Sequence, residues 1–163
     1  MRGRRLVMLA ATGLLLLGCG DSFDEDGLQA IEQWVDDVIP AGEVASGDIA
    51  AAALGEEDFW QPLEDHHDEL KELYERGREL PDEDEISSWM FNRTVGGEQF
   101  TVQGDDLSEA VVGLQLALGD LVDEFEFFLE QDGELDDEDM GWLEDALVGF
   151  DEAADAYRDV MLP

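Results

Sequence analysis

From Leu107 onward the apolar positions step by three and four: Leu107, Val111, Leu114, Leu118, Leu121, Phe125 and Phe128. That spacing puts them on one face of a helix. Met140, Leu143, Leu147, Phe150, Ala154, Tyr157 and Met161 repeat it. The link between the two stretches, Gln131 to Asp139, is short, which predicts an antiparallel helix pair. Asp105 and Asp106 are the candidate caps of the first helix.

Upstream, Leu28, Ile31, Val35 and Val38 mark another helix, with Trp34 and Ile39 beside the stripe and Pro40 expected to close it. Residues 41–58 read as a Gly- and Ala-rich connection with a short helix from Ile49 to Leu54. A further helix is expected over Pro62–Leu80. Leu63, His67, Leu70, Tyr74 and Gly77 form its stripe, which Leu73 and Leu80 widen. Pro81 stops it, and Asp82-Glu83-Asp84-Glu85 reads as a solvated link.

Over residues 89–103 the period changes to two. A two-residue turn at Gly96-Gly97 pairs Val95 with Glu98, Arg93 with Phe100 and Phe91 with Val102. Trp89, Phe91, Val95, Phe100 and Val102 then share one face. Met90, Asn92, Thr94, Gln99, Thr101 and Gln103 share the other. Arg93 falls amid the apolar face, where stacking on Phe100 would accommodate it. The predicted fold is mainly α: a small up-and-down bundle of about four helices with a β-hairpin inserted at 89–103. It forms one domain over 28–163.

The first residues follow a different pattern. Arg2, Arg4 and Arg5 precede an apolar run from Leu6 to Gly18, too short to span a bilayer, and Cys19 follows. A positive start and a short apolar core are the pattern of a removable export signal. Leu16-Leu17-Gly18-Cys19 resembles the lipobox of prokaryotic lipoproteins. The resemblance covers about the first 20 residues and implies a signal peptide at 1–18, cleavage before Cys19 and a diacylglyceryl group on its sulfur. Residues 19–27 would be an acidic tether. Paired acyl chains hold a protein on a membrane where one chain is marginal. The expected location is extracytoplasmic, at the periplasmic face or the cell surface. Cys19 is the only cysteine, so a lipidated Cys19 leaves no thiol for catalysis or for a disulfide.

Charge narrows the partners. All 44 acidic residues lie beyond position 18, and the eight basic residues less Arg2, Arg4 and Arg5 leave five, so the mature part carries five minus 44, or −39. That field repels nucleic acid and anionic lipid, which excludes both as direct partners of the folded domain. Three sources of acidity compete: a surface adapted to high salt, a divalent-cation role, and complementarity to a basic protein.

Candidate chemistry is sparse. Asp132-Gly133-Glu134-Leu135 resembles the centre of a calcium-binding EF-hand loop, and Asp136 and Asp139 lie in its second half. Phe128 stands where that loop requires its first Asp. Asp24-Glu25-Asp26-Gly27 is a second candidate, with Ser22 first in the frame and Gln33 last. Calcium takes six to eight oxygens, more than either stretch offers. Asp24, Asp26, Asp132, Asp136 and Asp139 are the candidate Ca²⁺ ligands of this reading. Acids in a first helical turn are favoured by the helix dipole without any metal.

Glu64-x-x-His67 has the spacing of carboxylate-bridged di-iron bundles, but His66 and His67 are the only histidines, which rules out that double site. His67 is expected on the buried stripe and His66 in solvent. The leading expectation is a non-enzymatic interaction or scaffold module with an unknown protein partner, no cofactor and no catalytic residue. A Ca²⁺-binding module of the cell envelope is the alternative, and a hydrolase using His66 or His67 the third.

Overall fold

A computed structural model describes residues 23–53, 60–131 and 137–162, apart from the side chains of Ala53 and 137–139. The chain is a mainly helical bundle with a β-hairpin insertion. Helix α1 spans Glu25–Ala53, α2 Trp60–Gly77, α3 Glu83–Ser87, α4 Gly104–Glu130 and α5 Asp137–Met161. Strands β1 (Met90–Val95) and β2 (Glu98–Gln103) lie between α3 and α4. Cys19 and the rest of 1–22 lie outside the described residues.

Pro40 does not end α1. It sits inside a helix of 29 residues. Proline removes the donor that would bond the Asp36 carbonyl and normally breaks a helix. Here Pro40 is exposed, and both residues line an open groove where water can serve that carbonyl. The buried stripe continues past it through Ala45, Ile49 and Ala52, so tertiary packing carries the helix over the break. The connection expected at 41–58 is therefore helical as far as Ala53.

Helix α2 stops at Gly77, three residues earlier than expected. Residues 78–80 close in tighter turns, with Leu80 N–H donating to the Gly77 carbonyl at 3.3 Å. Gln115 of α4 donates to the same carbonyl at 2.6 Å. The link expected at 82–85 contains α3 instead. Asp82 caps it, its Oδ1 accepting the Glu85 N–H at 2.9 Å.

The hairpin register matches the expected one, residue for residue, from Met90 opposite Gln103 to Val95 opposite Glu98. Gly96 and Gly97 have φ of 62° and 92°, the pair of left-handed residues that a tight two-residue hairpin turn requires. Trp89, Phe91 and Val102 are buried. Asp105 and Asp106 lie in the first turn of α4 rather than at its cap, which is Gln103, without a side-chain bond. There they complement the helix dipole.

Helices α4 and α5 pack most extensively on each other, and α2 packs against both α1 and α4. Trp34, Phe125, Phe128 and Phe150 are fully buried in the core they share. Trp34 also donates its indole N–H to the Leu73 carbonyl at 2.7 Å, which pins α1 to α2.

Candidate functional site

The best-defined surface candidate is the hairpin with its seat. Phe23, just before α1, lies 4.9 Å from the Phe91 ring and meets Trp89 edge-on at 6.1 Å. Phe23 lies four residues after Cys19, a separation of at most about 14 Å. Beneath β1, Arg93 pairs with Glu32 of α1. Its partner is this carboxylate, not the Phe100 ring that the strand pattern suggested. A guanidinium facing the core needs a carboxylate to offset its desolvation.

Asp36 and Tyr157 complete this polar seat. Partial desolvation raises the Asp36 carboxyl above its usual range, and Glu32 and Asp37 raise it further against the opposing Arg93. Burial is also the main reason that the Tyr157 phenol is shifted upward, with Glu32 adding to it. The seat draws on α1, β1 and α5. Sequence reasoning missed it, although an arginine at an inward strand position is a signal that an acid must be near.

Two grooves flank α1. One, of about 470 Å³, lies against α2 and is lined by Asp36, Asp37, Pro40, His66, Glu69 and Arg76 among others. Arg76 pairs there with Asp37 at 2.9 Å. The other, of about 490 Å³, lies against α5 between Glu43, Ser46, Gly47, Asp151, Asp155 and Arg158. Arg158 bridges Glu43 and Asp155 across it.

Both histidines serve helix contacts. His66 Nε2 lies 3.0 Å from Asp48 Oδ2 of α1. Its side chain is only 15 % exposed, which corrects the expectation that it points to solvent. The physical reason is the continuation of α1, which brings Asp48 alongside. His67 is half-buried as expected, with Nδ1 3.2 Å from Asp68 and Nε2 3.4 Å from Glu126 of α4. Lys71 shares Glu126, and its hydrogen bond holds that carboxyl below the usual range. Glu64 is exposed.

The candidate calcium ligands are only partly described. Asp24 lies at the start of α1, where its Oδ1 accepts the Asp26 N–H at 3.1 Å. That is the work of a helix cap. Asp132 and Asp136 lie outside the described residues, as does the Asp139 side chain. Helix α4 runs to Glu130 and buries Phe128, so the first three positions of that EF-hand frame are helical. Among the described residues, no group of three or more acidic, His or Cys side chains is placed to hold a metal. No described helix is long and apolar enough to cross a membrane.

No protein-family model, curated protein or solved structure matches the chain. The functional reading therefore stands on its own residues.

Proposed function

We propose that the chain is a lipid-anchored extracytoplasmic lipoprotein whose helical domain acts as a non-enzymatic interaction module. The observation that carries the reading is the sole cysteine at the end of a short apolar run behind three arginines. Cys19 bears the lipid, and the membrane is the first partner. The domain then presents the hairpin and the grooves beside α1 to a protein partner, close to the bilayer because Phe23 is already packed. The engagement of His66 and His67 in contacts between helices supports a binding role over a hydrolytic one.

Cys19→Ser tests the anchor. The wild-type chain partitions with membranes and the variant is released to the soluble fraction. A variant that still partitions with membranes refutes the anchor. The calcium reading has its own test in thermal unfolding of the full chain. A midpoint raised by micromolar Ca²⁺, at matched ionic strength in KCl, would replace the interaction module with a cation-binding one.

A further inference from the structure

The hairpin is the acid-poor part of an acid-rich chain. Residues 86–104 contain a single acidic residue, Glu98, in a chain with 44 among 163. The side chains on its outer face, Met90, Asn92, Thr94, Gln99, Thr101 and Gln103, are all uncharged. Adaptation to salt would load this face with carboxylates as it loads the helices. A basic partner would be drawn to those helices and would need no acid-free patch. Charge depletion marks the core of an interface. On this molecule it suits a partner that is itself strongly acidic, because such a partner is repelled everywhere else.

The backbone of the hairpin offers a place for one. The sheet has two strands, so among the described residues the outer edge of β2 has no strand beside it. The tight turn makes Val95–Glu98 a hydrogen-bonded pair, and bonded pairs then alternate through Arg93–Phe100 and Phe91–Val102. The same phase reaches Gly104, whose N–H donates to the Trp89 carbonyl at 2.7 Å. Gln99 and Thr101 therefore turn their N–H and C=O groups away from β1, and Gln103 its N–H, while the Gln103 carbonyl, at the N-cap, opens the ladder of α4. All three are exposed, and β2 has no Pro or Lys of the kind that blunts strand edges.

That edge is self-complementary. Gln99-Phe100-Thr101-Val102-Gln103 has the same polar and apolar order in both directions. Antiparallel pairing about Thr101 sets Thr101 opposite its own copy and Gln99 opposite Gln103 of the second copy. The Thr101 N–H and C=O, the Gln99 C=O and the Gln103 N–H are then the groups that form the new ladder, Gln103 N–H donating to Gln99 C=O of the second copy. Phe100 and Val102 fall together on the core side. Thr–Thr pairs are favourable across strands, and no like charges meet.

We infer that the outer edge of β2 is a dimerisation surface on which a second copy of this chain adds its own β2 in antiparallel fashion. The result is a four-stranded sheet with a two-fold axis at Thr101. This names the partner of the interaction module and rests on that reading, but not on the lipid at Cys19. Because each copy carries a large negative charge, association strengthens with salt as the Debye length falls from about 10 Å at 0.1 M to about 3 Å at 1 M.

The test uses the full chain carrying Cys19→Ser, in detergent, followed by sedimentation velocity in 0.1 and 2 M KCl. The chain dimerises at tens of micromolar in high salt, and the dissociation constant rises at least about tenfold at low salt. Thr101→Pro removes one outward N–H and leaves the β1–β2 ladder intact, as edge strands allow. It is monomeric with an unchanged circular dichroism spectrum. In the same background Thr101→Cys crosslinks to its own copy, since residues opposed at about 5.5 Å suit a disulfide. Asn92→Cys, on the opposite edge, does not.

A chain that stays monomeric in 2 M KCl, a dimer that survives Thr101→Pro, or equal crosslinking at Asn92→Cys overturns the inference. A monomeric chain whose hairpin binds a different protein also overturns it, while leaving the interaction module standing.

Discussion

Helices α1 and α4 run for 29 and 27 residues and both bury one face in the same core, yet they are held in opposite ways. Helix α4 has an unbroken stripe of large residues, from Leu107 to Phe128, and no proline. Its pattern alone specifies a helix. Helix α1 contains Pro40, and beyond it the stripe shrinks to Gly42, Ala45, Ile49 and Ala52. That half is held from outside. Phe150 of α5 covers Gly42, Arg158 pairs with Glu43, and His66 pairs with Asp48. Small residues let neighbouring helices come close enough to override a local stop signal.

The contrast can be broken most sharply in α4. Phe125→Ala opens a cavity in the fully buried core and should cost about 3–5 kcal/mol in denaturant unfolding. A cost below about 1 kcal/mol would mean that the stripe of α4 is not the centre of the core. The second test lies in the far half of α1. A Cβ at Gly42 would lie 2.1 Å from the buried Phe150 ring, so Gly42→Ala should cost about 1–3 kcal/mol. Gly47 has open space, and Gly47→Ala should instead add up to about 1 kcal/mol through helix propensity. Equal effects at the two sites would contradict close packing of α5 on α1.

Pro40→Ala sharpens the comparison from the other side. It restores a helical donor to Asp36 and should stabilise by on the order of 1 kcal/mol, less than the ~3 kcal/mol that proline costs inside a helix, because that carbonyl faces an open groove where solvent offsets part of the loss. Destabilisation would mean that the ring itself is needed. The smallest effect is a pH dependence in the hairpin seat. Burial, then Glu32, raises the folded-state Tyr157 phenol above its ordinary value of 10.0. The unfolded chain gives up that proton first. The stability linked to Tyr157 is therefore complete below pH 10 and is lost as pH rises above it. Tyr157→Phe should make the alkaline fall in melting temperature shallower. An unchanged slope would contradict a buried phenol.

Where one local rule governed, the fold could be read from the sequence. The Gly96-Gly97 turn fixed the hairpin register because two left-handed residues permit one pairing. The stripes of α4 and α5 were legible because large apolar residues recur without interruption. The end of α1 was not, since packing beyond Pro40 overrides the local stop signal. The continued helix sets Asp48 beside His66 and Glu43 beside Arg158, and forms both grooves. A run of charge conceals helix α3 in the sequence, although Asp82 with Glu85 three residues on is a capping pattern. The Arg93–Glu32 pair joins residues 61 apart, and a single sequence shows that an inward arginine needs an acid without saying which.

The central claim is the anchor, and it is tested most directly by the intact mass and N-terminal residue of the protein recovered from its host's membrane fraction. The account predicts a chain that begins at Cys19 and is heavier than its polypeptide by a diacylglyceryl group on the sulfur. A chain with a free Cys19 thiol, or one that starts at another residue, would contradict it.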